Sequence, residues 1–279
     1  MDNSGRLPAV ILICHQHDRL DSVGLASWLA ATMRLAGIVL IAGDRARQWR
    51  VAKREIARRG IVSFVDALAF RMYARVRLAR GTAAWTRSEL ERLRRRYPVA
   101  LDHVPTLHAA DPNDPAVQAF IASLAPDLIV ARCKFILKPE IFELARHGTF
   151  ALHPGICPEY RNAHGCFWAL AQRDLDRVGM TLLRIDRGVD TGPVLLQATV
   201  PFDELRESHH VIQGRVVFEN LDRIGNALLA VARGPSPPWI DTAGRRSHAW
   251  GQPRLSTYIR WKIAAYRDRR RLSRHAAVS

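Results

Sequence analysis

Apolar residues fall into two kinds of pattern along this chain, short unbroken runs and longer stretches with helical spacing. Ala9–Cys14 (AVILIC) is apolar at every position, as expected of a strand buried on both faces. Ser22–Gly37 follows with apolar residues at Val23, Leu25, Ala26, Leu29, Ala30, Met33 and Leu35. That spacing predicts a helix capped by Asp21 or Ser22 and stopped by Gly37. Ile38–Ala42 then reads as the next strand, so the chain opens as a βαβ unit with an expected parallel sheet. Residues 45–96 read as mostly helical. Phe64–Tyr73 is apolar enough to pack on the sheet, Thr86–Glu89 looks like a helix start, and Tyr97-Pro98 is a stop. Val104–Leu107 and Leu128–Ala131 are expected strands, Ala116–Leu124 and Pro139–Ala145 expected helices. Phe150–Leu152, Met180–Leu183, Val194–Leu196 and Thr199–Phe202 read as further strands, and Glu207–Val231 as one long helical run without proline. Gly234-Pro235-Ser236-Pro237-Pro238 is an expected linker, followed by an aromatic segment with a basic end.

Composition bounds this picture without redirecting it. The 279 residues, 48% of them hydrophobic, suit one large globular domain or one with an appendage. No apolar run is long enough to cross a bilayer, and the N-terminal segment reads as a strand rather than a signal peptide, so a cytoplasmic location is expected. Cys14, Cys133, Cys157 and Cys166 form no CxxC pair, which predicts neither a disulfide framework nor a zinc knuckle. The net charge of +16 comes almost entirely from arginine and concentrates at Arg92–Arg96 and Arg267–Arg274. Solvated helix faces and a frayed tail account for it; a nucleic-acid or membrane-surface binder is the competing class, and contact of the basic tail with an anionic surface stays open.

The reactive side chains gather between Thr149 and Gln197. His153 stands where an apolar run meets Pro154-Gly155, and Asp190 lies in the polar loop Asp186–Gly192 between two expected strands. A histidine and a carboxylate offered from neighbouring loops can form a proton-handling pair. Cys157 in the same stretch could act as a nucleophile or as a buried apolar side chain. His15-Gln16-His17-Asp18 ends the first strand, where α/β sheets place ligands. Its HxHD pattern lacks further ligands at metal spacing, so no metal is expected, and it lacks the glycines of a phosphate cradle.

Three segments also carry a family resemblance. HPGICPEYRNAHG (153–165) resembles an HPSLLPxYRG signature, GVDTGPVLLQ (188–197) resembles a second signature built on an aspartate, and PDLIVARCKFILKPEIF (126–142) resembles a third segment, all in the order found in folate-dependent formyltransferases. An Asn just before the helix at 116–124 is a further similar feature. The resemblance implies a Rossmann-like domain with a mostly parallel sheet flanked by helices over residues 1–205, and a helical C-terminal extension over 206–279. It implies transfer of a formyl group from 10-formyltetrahydrofolate to a primary amine of a small substrate, such as an amino sugar. No tRNA is expected as substrate, because the C-terminal segment does not look like the barrel of the methionyl-tRNA branch; a homodimer stays open. By the same resemblance His153 and Asp190 are catalytic, with Asn162 as a candidate for a missing donor. Phe135, Ile136, Leu137, Ile185, Asp186, Arg187 and Gly188 are expected around the folate, and His15, His17, Arg161 and His164 around the acceptor.

One position departs from the family pattern. Two residues before His153 the family has an asparagine, and this chain has Ala151, which offers no side-chain donor to an oxyanion. Either another donor such as Asn162 or His164 has taken over, or the protein is a weakened or inactive relative that binds folate or sugar. For Asn162 the structural alternative is a left-handed turn position, which asparagine tolerates.

Overall fold

The first strand, β1 (Ala9–His15), is the middle of the molecule. Its side chains alternate between two hydrophobic clusters: Val10, Leu12 and Cys14 face one, Ala9, Ile11 and Ile13 the other. Such a strand must be covered on both sides, and helices do so. In the computed structural model, which describes residues 6–43, 60–234 and 239–276, β1 is followed by a short π-helical turn (Leu20–Leu25), α1 (Ala26–Thr32) and β2 (Arg34–Ile41). A helical run then covers residues 60–96: α2 (60–73), a wide turn at Ala74–Leu78, and α3 (Ala79–Arg96). β3 (Thr106–Ala109), α4 (Pro115–Leu124), β4 (Leu128–Arg132), α5 (Pro139–Phe142) and β5 (Thr149–His153) complete the parallel part. Next come β6 (Arg161–Asn162), α6 (Gly165–Ala171), β7 (Gly179–Arg184) and β8 (Val194–Thr199). The chain closes with α7 (His209–Phe218), α8 (Leu221–Arg233), β9 (Ala249–Trp250) and α9 (Leu255–Ala276).

The main sheet has the order β3-β2-β1-β4-β5-β7-β8. The first five of these strands run parallel, and β7 and β8 add antiparallel at one edge. The expected mostly parallel α/β fold is therefore present, with helical C-terminal residues. These residues share the main core: Ile212, Val216, Leu221, Ile224 and Leu228 belong to the cluster that contains Val10 and Leu12, as do Tyr258 and Trp261 of α9. Burying each such large apolar side chain contributes about 1.5–3 kcal/mol.

Several boundaries differ from the sequence reading, each for a local reason. The first helix stops at Thr32, and Gly37 lies inside β2 instead of ending a helix. There the register skips Ala36, and a Cβ on Gly37 would stand 2.6 Å from Leu124 Cδ1 and 3.1 Å from Phe120 Cζ, so the glycine lets α4 approach the strand. Asp18, rather than Asp21 or Ser22, accepts from the amides that open the helix. Asp21 is buried and paired with Arg132 at 2.6 Å. Thr86 lies within α3 and starts nothing. Within Phe64–Tyr73 only Ala67 and Phe70 are buried, while Val65, Leu68 and Met72 are exposed. β3 begins two residues later than expected, α5 ends at Phe142, and residues 200–202 form no strand. The long helix expected over Glu207–Val231 breaks at Glu219-Asn220, where Asn220 turns its amide back to donate to the Val216 carbonyl at 3.0 Å. The expected helical start at Arg45 and most of the linker, residues 235–238, lie outside the described residues.

Candidate active site

The carboxyl ends of β4 and β5 point into a cleft with the loop between β7 and β8. β5 delivers His153 at its last position, where Pro154-Gly155 turns the chain away. Gly155 is needed there: a Cβ on it would lie 2.6 Å from the Tyr160 carbonyl oxygen and 2.7 Å from His153 Nε2. The β7–β8 loop delivers Asp190, whose backbone is left-handed at φ 51°. His153 Nδ1 and Asp190 Oδ2 are 3.5 Å apart, although 37 residues separate them in sequence (Asp190 against His153). The same Oδ2 accepts from the Asn162 backbone amide at 2.8 Å. On the other side of the ring, Nε2 is 2.8 Å from the Tyr160 carbonyl oxygen. A carbonyl can only accept, so Nε2 carries the proton and Nδ1 is the basic nitrogen of the neutral ring.

Beside this pair lies a cleft of about 90 Å³, lined on one wall by Cys133, Phe135, Ile136 and Leu137 and on the other by Leu183, Ile185, Asp186 and Gly188. Asp190 and Ala151 also line it, so the methyl at 151 faces the same space as the carboxylate. Asn113, just before α4, fixes the first wall: it donates to the Ile136 carbonyl at 3.1 Å and accepts from the Lys138 amide at 2.7 Å. Ile185 continues the sheet through its amide to Thr149 O at 2.7 Å. Asp186 caps the second wall, accepting from Gly188 N at 2.9 Å and Thr191 Oγ1 at 2.7 Å. Six of the seven residues expected around folate therefore line one cleft. Arg187 is exposed and is not among its lining residues.

The residues expected around the acceptor separate. His15 ends β1 and accepts from the Lys134 amide at 3.0 Å, which places it beside the cleft, 6.1 Å from the Phe135 ring. His17 lies in the following turn and is exposed. Arg161 donates to the Val189 carbonyl at 2.7 Å and so joins the His153 loop to the Asp190 loop. His164 is left-handed at φ 58° and leads into α6, with its ring 6.2 Å from both His209 and His210. Burial, with His210 and Lys134 nearby, lowers His164 to about 3, and His209 and His210 are lowered by burial as well. Asn162 also has a left-handed backbone (φ 72°), and its amide donates to the Trp250 carbonyl at 2.5 Å. Cys157 is buried, and burial pushes its thiol well above the usual range, so it is held as a thiol and not as a nucleophile. Among the described residues no three His, Cys, Asp or Glu side chains converge on a common metal position.

Sequence reasoning missed what holds the loop that follows His153. β9 pairs in parallel with β6, so Arg161 and Asn162 are aligned with Ala249 and Trp250. Trp250 stacks on Trp168 at 4.6 Å and donates to the Glu159 carbonyl at 2.9 Å, and Arg245 forms a two-pronged ion pair with Glu159. The aromatic richness after the linker was the available signal, but no local pattern says which distant loop an aromatic residue will cover.

Comparison with known proteins identifies the family. A family model described as formyl transferase matches residues 82–228, more than half of the chain. The methionyl-tRNA formyltransferase of Chlorobium luteolum is 30% identical over 159 residues, covering 57% of this chain and 50% of the relative. That of Anaeromyxobacter sp. (strain K) is 37% identical over 105 residues, 37% of this chain and 32% of the relative. The chain thus spans about half the length, or less, of these curated relatives. Among solved structures, phosphoribosylglycinamide formyltransferase from Anaplasma phagocytophilum has a TM-score of 0.52 at 13% identity, covering 88% of this chain and 98% of that one. A sugar N-formyltransferase from a Shewanella species has a TM-score of 0.51 at 13% identity, covering 91% and 86%. At such identities the structures speak for the fold, and the sequence match from within α3 to within α8 decides the relationship: this chain belongs to the formyl transferase family.

Proposed function

We propose that the protein transfers a formyl group from 10-formyltetrahydrofolate to a primary amine of a small polar substrate, with an amino sugar as the leading class. The observation that carries this reading is the meeting of His153 and Asp190 at the rim of the apolar cleft between Phe135–Leu137 and Ile185–Gly188. The two walls suit a flat heteroaromatic ring, with apolar faces above and below and backbone groups of the 185–188 loop at its edge. The donor supplies the formyl carbon; the chain supplies position and proton handling. His153 Nδ1 takes the proton lost by the amine, directly or through one water, as the amine nitrogen bonds to the formyl carbon, and returns it to N10 of the donor as the bond between that carbon and N10 breaks, with Asp190 stabilising the imidazolium in between. The Tyr160 carbonyl and the Asn162 amide hold the two partners in that arrangement. His15 and Lys134, beside the cleft, and His164 and His210, near Lys134, form a polar flank suited to a hydroxyl-rich acceptor. The fold likeness to the Shewanella sugar N-formyltransferase is compatible with that class.

A second reading has a specific motive. Ala151 removes a donor, and the Asn162 amide is already engaged by Trp250, which leaves a weakened relative that binds folate or sugar without efficient transfer. Formyl transfer to a panel of amino sugars, followed by mass spectrometry, separates the two. Product with any acceptor supports the first reading. Calorimetric binding of 5-formyltetrahydrofolate without product supports the second. Absence of folate binding sinks the first, and absence of both folate and amino-sugar binding sinks the second as well.

A further inference from the structure

The outward face of α2 and α9 carries apolar side chains that are exposed among the described residues. Ile61, Val62, Val65, Leu68, Met72 and Val76 are between 45% and 80% exposed, and five of them recur every three to five residues as one stripe. On α9, Ile259, Ile263 and Tyr266 form a second exposed stripe. The two helices are tied together. Asp66 accepts from the Ser256 amide at 3.0 Å and its hydroxyl at 2.5 Å, and the rings of Tyr73 and Tyr258 are 5.2 Å apart. A groove lined by Tyr73 of α2 and by Tyr258, Ile259, Ile263 and Tyr266 of α9 runs along the second stripe.

The charge around these stripes has one sign. Between residues 60 and 88 Asp66 is the only acidic residue, against Arg71, Arg75, Arg77, Arg80 and Arg87. In α9 the only acid is Asp268, which pairs with Arg173, while six arginines and Lys262 lie on the same helix. Arg270 stands 5.0 Å over the Tyr266 ring, its charged end beside the apolar stripe. Apolar stripes bordered by arginines are the physical signature of a helix pair lying in a lipid headgroup layer: aliphatic side chains enter the acyl boundary and guanidinium groups reach phosphates. A second copy of the chain would bring arginine-rich helices against each other, and a nucleic acid would leave Val65, Leu68 and Met72 without apolar contact.

We propose that the α2–α9 face docks the protein onto an anionic bilayer surface. The full chain is expected to float with vesicles of mixed phosphatidylglycerol and phosphatidylcholine, and not with phosphatidylcholine alone. The triple substitution Val65→Ser, Leu68→Ser, Met72→Ser, at exposed positions, should weaken flotation at least about tenfold. The pair Arg270→Gln, Arg271→Gln should weaken it about fivefold per charge removed. Failure of the wild type to float on anionic vesicles overturns the proposal. So does a serine variant that floats as well as the wild type, which would reduce the contact to charge alone. Light scattering that shows a concentration-dependent dimer lost in the serine variant, with no flotation of either protein, would assign the face to self-association and overturn it as well.

Discussion

The imidazole of His153 is held by Tyr160 O at 2.8 Å through Nε2, which leaves Nδ1 facing the Asp190 carboxylate at 3.5 Å. Ring orientation and the identity of the basic nitrogen are thus fixed before any substrate arrives. Asp190→Asn is the informative change, because asparagine keeps the left-handed backbone at φ 51° and removes only the charge. Formyl transfer should fall about a hundred- to ten-thousandfold in this variant and in His153→Ala. The double variant should be little worse than either single one, because the two residues act as a unit. Steady-state rates of the three proteins decide this; additive losses would separate the residues.

Ala151 gives a prediction in the opposite direction. Its side chain lines the cleft next to Asp190, and the amide of Asn162 donates to Trp250 instead. Ala151→Asn should therefore raise the turnover number, by as much as about a hundred- to a thousandfold if no other group serves as donor. An unchanged rate in single-turnover experiments would mean that the oxyanion already has a partner.

Trp250→Ala should separate position from chemistry. The indole stacks on Trp168 and donates to Glu159, and its own carbonyl receives Asn162. Removing a half-buried indole should cost about 2–3 kcal/mol in thermal unfolding. Because β6 carries the amide that fixes Asp190, kcat should fall about tenfold while KM for the folate donor stays near its original value. A loss of stability without change in kcat would make the contact purely structural.

Buried His209 and the half-buried His164 and His210 predict acid sensitivity. His164, His209 and His210 are near one another, with Lys262 adding to the field at His209, and all are lowered from their usual value by burial. In the unfolded chain they take up protons near pH 6.5, while in the folded protein His164 resists to about pH 3 and His209 and His210 also titrate below their usual value. Between those limits the unfolded state binds more protons, so the stability they contribute is present above about pH 6.5 and is lost as pH falls. The slope contributed by His164 approaches about 1.4 kcal/mol per pH unit. Among the described residues neither ring nitrogen of His209 has a hydrogen-bond partner, and Phe70 and Phe167 rings lie 5.5 and 5.2 Å away. His209→Phe should therefore fold at neutral pH and flatten the decline measured by urea unfolding between pH 6.5 and 5.

Much of the parallel sheet was legible because Ala9–Cys14 and Leu128–Ala131 are apolar at every position, a pattern that demands cover on both faces. Of the residues the resemblance set around the folate, all but Arg187 line one cleft, as does Asp190, whereas His153, Arg161, Asn162 and His164 are not among its lining residues. Elsewhere short-range signals misled. Leu35 continues a helical spacing yet pairs with Val10 in a strand, since the two periods agree over so short a stretch. Val65, Leu68 and Met72 were apolar enough for a core that does not cover them, because hydrophobicity states a preference for burial and not the partner that satisfies it. The pairing of Asn162 with Trp250 depends on tertiary packing alone.

That last pairing has a bearing on synthesis. Arg161 and Asn162 leave the ribosome long before the residues that align with them, Ala249 and Trp250. During that interval the nascent chain can assemble its sheet, while the hairpin-like segment bearing the Asp190 anchor waits for its clasp. The segment whose Asn162 amide holds the Asp190 carboxylate thus gains its partner strand only after residues 249–250 have been synthesised.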